Sequence, residues 1–395
     1  MKDLSVEDAR ALMLAAAGPV ETETVVLGAA LGRTLAEPVI ALRDQPPFDS
    51  SAMDGWAVRG PGVDLAIVGE SAAGAAYPDA LSPGQAVRIF TGAPVPAGAE
   101  RVVIQEEAVR AGDRVQIPVD DRPNRFIRPR GGDFRAGQVL LTSGVRLDAW
   151  RIGLAAAAGR AELRVAKRPD VIVLSTGEEL VAAGAQAGPD QIFDSGSPSL
   201  GALIEAWGGS AVRLASAGDN IGAIASAVEG AGGQLIVTIG GASVGDHDLV
   251  KPALSTLGLD LQVTTVRVRP GKPTWFGRLA DGRLVLGLPG NPASALACAE
   301  LFLRPLLMAM QGADPALKMS TAHLATPLPA NGGREHWMRA RLEVRDGRLT
   351  ATPMSDQDSS LVSVFAGSDA LLRRTVDAPK AEAGAVVDIL PLERL

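Results

Sequence analysis

Three apolar runs between Leu235 and Leu296 each break into a loop of glycine, proline and small polar residues suited to holding an anion. The loops read TIGGASVGDHD (Thr238 to Asp248), RPGKP (Arg269 to Pro273) and LPGNPAS (Leu288 to Ser294). Gly240, Gly241 and Gly245 with Ser243 can present a nest of N–H donors to a phosphate, while Arg269 and Lys272 supply positive charge. Asn291 and Pro292 read as the N-cap and first turn of a helix facing a negative ligand. The glycine spacing matches neither a dinucleotide fingerprint nor a Walker loop, so those readings lose support.

Five acids, Glu178, Glu179, Asp219, Asp246 and Asp248, fall on the same predicted rim. Carboxylates beside a phosphate repel it unless a divalent cation stands between them, which points to oxygen-coordinated Mg²⁺. Taken singly, each acid reads by default as a helix cap or a solvated charge, and Asp248 is the plainest cap; their convergence with the glycine loops and Lys272 favours a joint functional role. A second polar set, Asp49, Asp54 and Thr91, lies in QPPFDSSAMDGWAV and RIFTGAPVP, where the prolines and the Asp-Gly pair also suit hairpin turns.

Elements that could bring these loops together follow from periodicity. From Pro169 the pattern is strand, loop, helix, repeated: strands at Val171 to Leu174, near Val212 to Leu214, Leu235 to Ile239, near Val263 to Val268 and Leu284 to Leu286. Helices are expected at Pro198 to Trp207, Ile221 to Glu229, Asp248 to Leu257 and about Ala293 to Met310. Alternation of this kind implies a doubly wound, mostly parallel sheet that binds ligands beyond the carboxyl ends of its strands. Thr176, Glu179, Asp219, Gly240 to Asp248, Lys272 and Asn291 all lie just past such ends.

Around this α/β part, assigned to residues 169–312, the chain reads as multi-domain α/β plus β. Residues 1–44 and 141–168 form an elongated N-terminal domain that opens with a helix capped by Ser5, and a small β domain is inserted at 45–140. Residues 318–395 alternate as a C-terminal β domain, with a turn at Asp346-Gly347.

Composition narrows the function. The 395 residues carry a formal net charge of −7, so an anionic substrate must be held by local charge, and nucleic acid is not an expected partner. The basic stretch Arg122 to Arg135 is too rich in turns for more than a solvated loop or small-anion clamp. With one cysteine and three histidines, neither a disulfide framework nor a thiolate or imidazole metal cluster can be built, and Cys298 reads as a small buried hydrophobe. No secretory signal or membrane span is expected, and a reducing cytoplasm fits best.

The motifs SSAMDGWAV, FTGAPVP, IRPRGGDFRAG, STGEEL, GGASVGDHD, RPGKP and GLPGNPAS, in this order, resemble the molybdopterin molybdotransferase family, to which animal gephyrin is related. The resemblance implies an enzyme that takes adenylylated molybdopterin and molybdate and, with Mg²⁺, yields molybdenum cofactor and AMP. It also implies an elongated homodimer in which the inserted β domain of one subunit faces the nucleotide-type domain of the other. Expected partners are the adenylyltransferase that makes the substrate and molybdoenzyme maturation factors; adenylyltransferase activity or a gephyrin-type scaffold are the alternatives.

By position in matching motifs, the family's functional residues fall on Asp54, Thr91, Asp133, Glu179, Asp219 and Asp248, with metal expected on Asp219 and Asp248. Substrate contacts fall on Thr176, Gly240, Gly241, Ser243, Gly245, Arg269, Lys272, Pro289, Asn291, Pro292 and Ser294. Arg339, Arg341, Ser359 and Ser360 of the C-terminal domain are expected to close over molybdate. Arg269 stands where the family has lysine, and Ser50, Gly132, Ala242 and Gly196 are further departures. The dithiolene sulfurs of the pterin would bring the soft molybdenum ligands, so a chain poor in cysteine and histidine suffices.

Overall fold

The computed structural model describes residues 1–119, 125–214, 220–241 and 249–393. Among the described residues three six-stranded sheets form, one in each of the regions that sequence pattern separates. The central sheet runs Ser210–Arg213, Asp170–Ser175, Leu235–Ile239, Leu284–Leu288, Trp275–Arg278, Asp260–Val263. Its first four strands are parallel and the last two antiparallel.

The apolar runs of this sheet conceal a two-residue period. Val171, Val173, Leu235, Val237, Leu284 and Leu286 pack on Leu200, Ile204 and Phe302, whereas Ile172, Leu174, Ile236 and Val285 pack on Ile224, Val228 and Leu254. Helical layers cover both faces, so every position must be apolar although successive side chains point to opposite sides.

The helix following Leu284–Leu288 spans Pro292–Met310. It is long and apolar enough to cross a bilayer, yet 89% of its apolar window is buried inside the protein, which marks a core helix. One turn, Ala299–Leu303, widens to the π form ahead of Pro305, which has no N–H to donate. The first helix, Val6–Ala16, packs on this one through Ala9 and Met13. Its start is set as expected by Ser5, whose Oγ accepts from the Asp8 N–H at 3.0 Å.

The flanking pieces pair with each other across the insertion. Thr22–Val26 is antiparallel to Glu162–Ala166, Val39–Ile40 to Val139–Leu141, and the helix Ala149–Ala157 begins at Asp148, whose side chain accepts from the Arg151 N–H. The inserted sheet orders Arg101–Ile104, Gly55–Val58, Gln85–Ile89, Asp64–Ser71, Arg114–Gln116, Val109–Ala111. In the basic stretch, Phe134 is a core residue and Arg130 pairs with Asp44, so the described part is an ordered loop; residues 122–124 lie outside the described residues.

In the C-terminal sheet, Glu335–Arg345 pairs with both Arg348–Pro353 and Ala370–Arg374, so the strands close on themselves and leave fewer free edges. The expected strand from Val263 to Val268 is divided between two sheets. Asp260–Val263 belongs to the central one, while Val268–Arg269 runs parallel to Glu335–Arg345 of the C-terminal one, Val268 beside Glu335 and Arg269 beside His336. Local pattern carries no trace of that switch, because both sheets bury the same apolar alternation.

Immediately after this pairing the chain turns at Gly271, whose φ is +113°. A Cβ there would lie 2.1 Å from the Sγ of Cys298. Thr274 Oγ1 donates to the Gly271 carbonyl at 2.7 Å and to Cys298 Sγ at 3.2 Å. Cys298 is indeed a buried small residue, and burial pushes its thiol up to about 12. Gly271→Ala should therefore lower stability by about 2–4 kcal/mol through clash and positive φ together. Gly271→Ala/Cys298→Ala should regain part of it, because the clash is relieved while the φ strain stays. Urea denaturation reads both, and an unchanged midpoint in Gly271→Ala would contradict the packing described.

Candidate functional site

The carboxyl ends of the parallel strands converge through backbone contacts that leave no room for side chains. Thr176, past Asp170–Ser175, donates its N–H to the Ile239 carbonyl at 3.1 Å, and Gly240 donates to the Leu288 carbonyl at 3.2 Å. Gly240 has φ +88°, and a Cβ on it would sit 2.9 Å from the Thr176 carbonyl oxygen. Only glycine permits both this backbone conformation and that approach.

Above these loops opens a cleft of about 1290 Å³. Thr176, Glu179, Gly240, Gly241, Arg269, Lys272, Pro289, Asn291, Pro292 and Ser294 all line it, bringing together most of the residues expected on one rim. Asp219, Ser243, Gly245, Asp246 and Asp248 lie outside the described residues.

The far wall comes from the C-terminal domain, through Arg334 and the segment from Asp356 to Ser360. Asn291 stands at the helix N-cap position, but its side chain does not cap; it donates to Ser359 Oγ at 2.7 Å. The Ser359 carbonyl accepts from the Ala293 N–H at 3.1 Å. The expected open helix end is thus partly closed by this segment, because a tertiary partner takes the N–H that a ligand would have used. Beneath it lies Arg339, fully buried, which donates from Nη2 to the Asp358 carbonyl at 2.8 Å. Among the described residues its Nε and Nη1 find no partner, and burial lowers the guanidinium pKa. Gln357 donates to the Arg339 carbonyl at 2.9 Å and fixes the segment on the strand. Arg341 takes no part in this wall: it donates to the Gly367 carbonyl.

Charge in the cleft is unevenly satisfied. Asp194 accepts from the Gly196 and Ser197 N–H groups at 3.0 Å, holding the start of Gly196–Ala206. Asp358 accepts from the Ser360 N–H and hydroxyl, and these bonds hold its carboxyl below the usual range. Among the described residues no ion pair engages Arg269, Lys272 or Arg334, although all three are exposed on the walls. His336, beside Arg269, has its pKa lowered to about 4 by burial and then by the surrounding arginines, so it stays neutral at pH 7. With the Gly240 N–H given to Leu288, the three cations, unpaired among the described residues, beside the Gly240–Gly241 turn make a receptor for an oxyanion.

Sequence reasoning missed Arg334, Gln357 and Asp358 as parts of the site. They sit in irregular or edge positions with no motif, and only the docking of the C-terminal sheet brings them in.

Asp54, Thr91 and Asp133 line no part of this cleft. They share one end of the inserted domain, where loops are stitched by backbone bonds, Gly92 N–H to the Ser51 carbonyl and Asp133 N–H to the Gln45 carbonyl. Asp49 accepts from the Arg130 N–H at 2.8 Å. Asp54 Oδ1 accepts both from the Thr91 N–H at 2.6 Å and from its hydroxyl at 2.7 Å. Arg88 lies over the rings of Phe90, at 4.7 Å, and Trp56, at 5.5 Å, and donates to the Gly55 carbonyl at 3.0 Å, tying the two loops together. The Asp133 carboxylate is exposed.

Comparison with known proteins agrees with this architecture. Residues 4–159 match the family described as MoeA N-terminal region (domain I and II), residues 172–309 the probable molybdopterin binding domain, and residues 321–392 the MoeA C-terminal region (domain IV). The chain is 36% identical to the molybdopterin molybdenumtransferase of Nostoc sp., covering 83% of this chain and 78% of that one. It is 36% identical to molybdopterin molybdenumtransferase 2 of Mycobacterium tuberculosis, covering 93% and 95%. The crystal structure of the molybdopterin biosynthesis MoeA protein from Pyrococcus horikoshii superposes over 100% of both chains with a TM-score of 0.82 at 28% identity.

Thr91's backbone N–H first, then its hydroxyl, hold the Asp54 carboxyl below its ordinary range, helped by Arg88. A depressed folded-state pKa means that the contact stabilises above the ordinary aspartate value of about 3.9 and is lost as pH falls through the folded value. NMR titration of the Asp54 carboxyl should give a value below that of a free aspartate, and Thr91→Ala should raise it part of the way back. An identical titration in the variant would contradict the geometry.

By its three domain matches, its full-length relatives and its fold, the chain belongs to the molybdopterin molybdenumtransferase (MoeA) family.

Proposed function

We propose that this chain inserts molybdenum from molybdate into adenylylated molybdopterin and releases AMP. The observation that carries the reading is the cleft itself, where the Gly240–Gly241 turn and Arg269, Lys272 and Arg334, unpaired among the described residues, converge opposite a serine-bearing wall. Molybdate, a compact oxyanion, suits Lys272 and Arg269 with the Ser359 wall, and the orphaned N–H groups of buried Arg339 add to the positive field behind it. The phosphates of the adenylylated pterin suit the loop at Gly240 and Gly241. An oxygen of molybdate or water attacks the activated phosphorus, the bridging P–O bond breaks and AMP departs; two Mo–S bonds form on the dithiolene as one Mo–O bond breaks, and that oxygen leaves as water with the two thiol protons. Positioning and charge neutralisation supply most of the rate.

Mg²⁺ belongs to this reading as a hard, oxygen-bound cation that would offset charge between carboxylates and phosphates. Among the described residues no group of three or more possible ligands gathers, and Glu179 is an exposed carboxylate on the cleft wall available for the role. Asp219 and Asp248, the expected ligands, lie outside the described residues.

A homodimer completes the proposal. Asp54, Thr91 and Asp133 form an ordered polar end on the inserted domain that lines no part of the cleft among the described residues, and a second copy would bring a cleft to it. Trp150, 86% exposed on the helix Ala149–Ala157, and Phe48 and Met53 beside Asp49 and Asp54 give apolar surface for such a contact. The adenylyltransferase that makes the substrate would be a partner, in a reducing cytoplasm.

Lys272→Ala should lower kcat/KM for molybdate roughly 100-fold or more while the fold is kept, since among the described residues the exposed ammonium supports no structural ion pair. AMP release and cofactor formation by purified enzyme read it together. Wild-type rates in the variant would overturn the assignment of the oxyanion to this loop.

A further inference from the structure

A second cavity, of about 710 Å³, lies where the N-terminal domain, the α/β domain and the last strand's tail meet, and it shares no lining residue with the cleft. Its volume falls in the range of about 300–1,000 Å³ common to small-molecule sites, and Leu147, Met308 and Leu317 give it an apolar wall. Four arginines line it: Arg151, held by Asp148 at 2.8 Å, and Arg146, Arg168 and Arg304, which come from different parts of the chain.

Their partners are unequal. Arg304 pairs with Glu300 at 3.3 Å and with Glu393 at 2.6 Å. Arg146, half-buried, meets only carbonyls, Nε to Gly32 at 3.2 Å and Nη2 to Ala206. Arg168 reaches only the Gly209 carbonyl, at 3.4 Å. Among the described residues neither Arg146 nor Arg168 has a carboxylate in salt-bridge range. Burial lowers the Arg146 pKa, with Glu393 opposing and Arg304 and Arg168 adding to the shift, so the four groups feel one another.

Of the other acids on the cavity wall, Asp148 is taken by Arg151 at 2.8 Å and Asp314 by the Ala316 N–H at 3.0 Å. Glu205 remains as a nearby negative charge. A polyanion would be repelled by it, whereas a single oxyanion head offsets two cations that the protein leaves unmatched.

We propose that this cavity is a second ligand site, taking a small organic oxyanion whose carboxylate or phosphate head lies between Arg146 and Arg168 and whose apolar body covers Leu147, Met308 and Leu317. Glu393, already on Arg304, is the internal competitor for the same positive field. The site is independent of the molybdenum chemistry and stands or falls separately from it.

The test is calorimetric titration of the full-length chain carrying Lys272→Ala, which weakens anion binding in the cleft, with phenyl phosphate and separately with benzoate; the binding assigned to the second cavity is the part that Arg168 controls. One equivalent per chain should bind saturably, and the tighter of the two probes identifies the head group. Adding Arg168→Ala should weaken that binding about tenfold or more, and adding Glu393→Gln instead should tighten it. Arg168 is exposed and makes one long bond to a carbonyl, so its loss leaves the fold intact, which thermal melting checks. Absence of saturable binding for both probes, or equal affinity with and without Arg168, would overturn the proposal.

Discussion

The cleft exists because one short stretch of chain is shared between two sheets. Val268–Arg269 leaves the central domain to pair with Glu335–Arg345, and the next residues carry Lys272 back over the strand ends. The return segment does the reverse: Ser359 of the C-terminal domain takes the side chain of Asn291 and the N–H of Ala293 from the α/β domain. Two hydrogen-bonded seams therefore hold the loops and the wall in register. Without them the glycine loops would face solvent and the three cations would have no common ligand.

Electrostatics follows from this packing. Each described acid on the C-terminal and helix-start walls is occupied by N–H or hydroxyl donors, as in Asp194 and Asp358, whereas the basic side chains are not neutralised. Arg339 is the extreme case, a guanidinium with no exposure and two orphaned nitrogens. Leaving buried donors unmet costs about 1–3 kcal/mol each, a burden that proteins carry where binding repays it. His336, neutral at pH 7, adds no further charge beside Arg269.

Much of this was legible in sequence because it is local. The Ser5 cap, the buried strands Asp170–Ser175 and Leu235–Ile239, the glycine loop after Ile239 and the Asp346-Gly347 turn each announce themselves within a few residues. What stayed hidden depends on partners far away in sequence. The strand expected from Val263 to Val268 splits between sheets whose apolar demands are identical, and Asn291 keeps its N-cap position while a serine 68 residues away claims its side chain. Arg334, Gln357 and Asp358 carry no pattern at all; tertiary docking alone makes them part of the site. The polar end at Asp54 and Thr91 was visible as a motif, yet its separation from the cleft is a matter of topology.

The central claim is that glycine loops, the Lys272 loop and the Ser359 wall form one receptor for two anions. Crystals soaked with AMP and molybdate test it most directly. The account predicts phosphate density against Gly240 and Gly241 and a separate oxyanion touching Lys272 and the Ser359 side of the same cleft. Anions bound on different surfaces, or molybdate lodged away from Lys272, would contradict it.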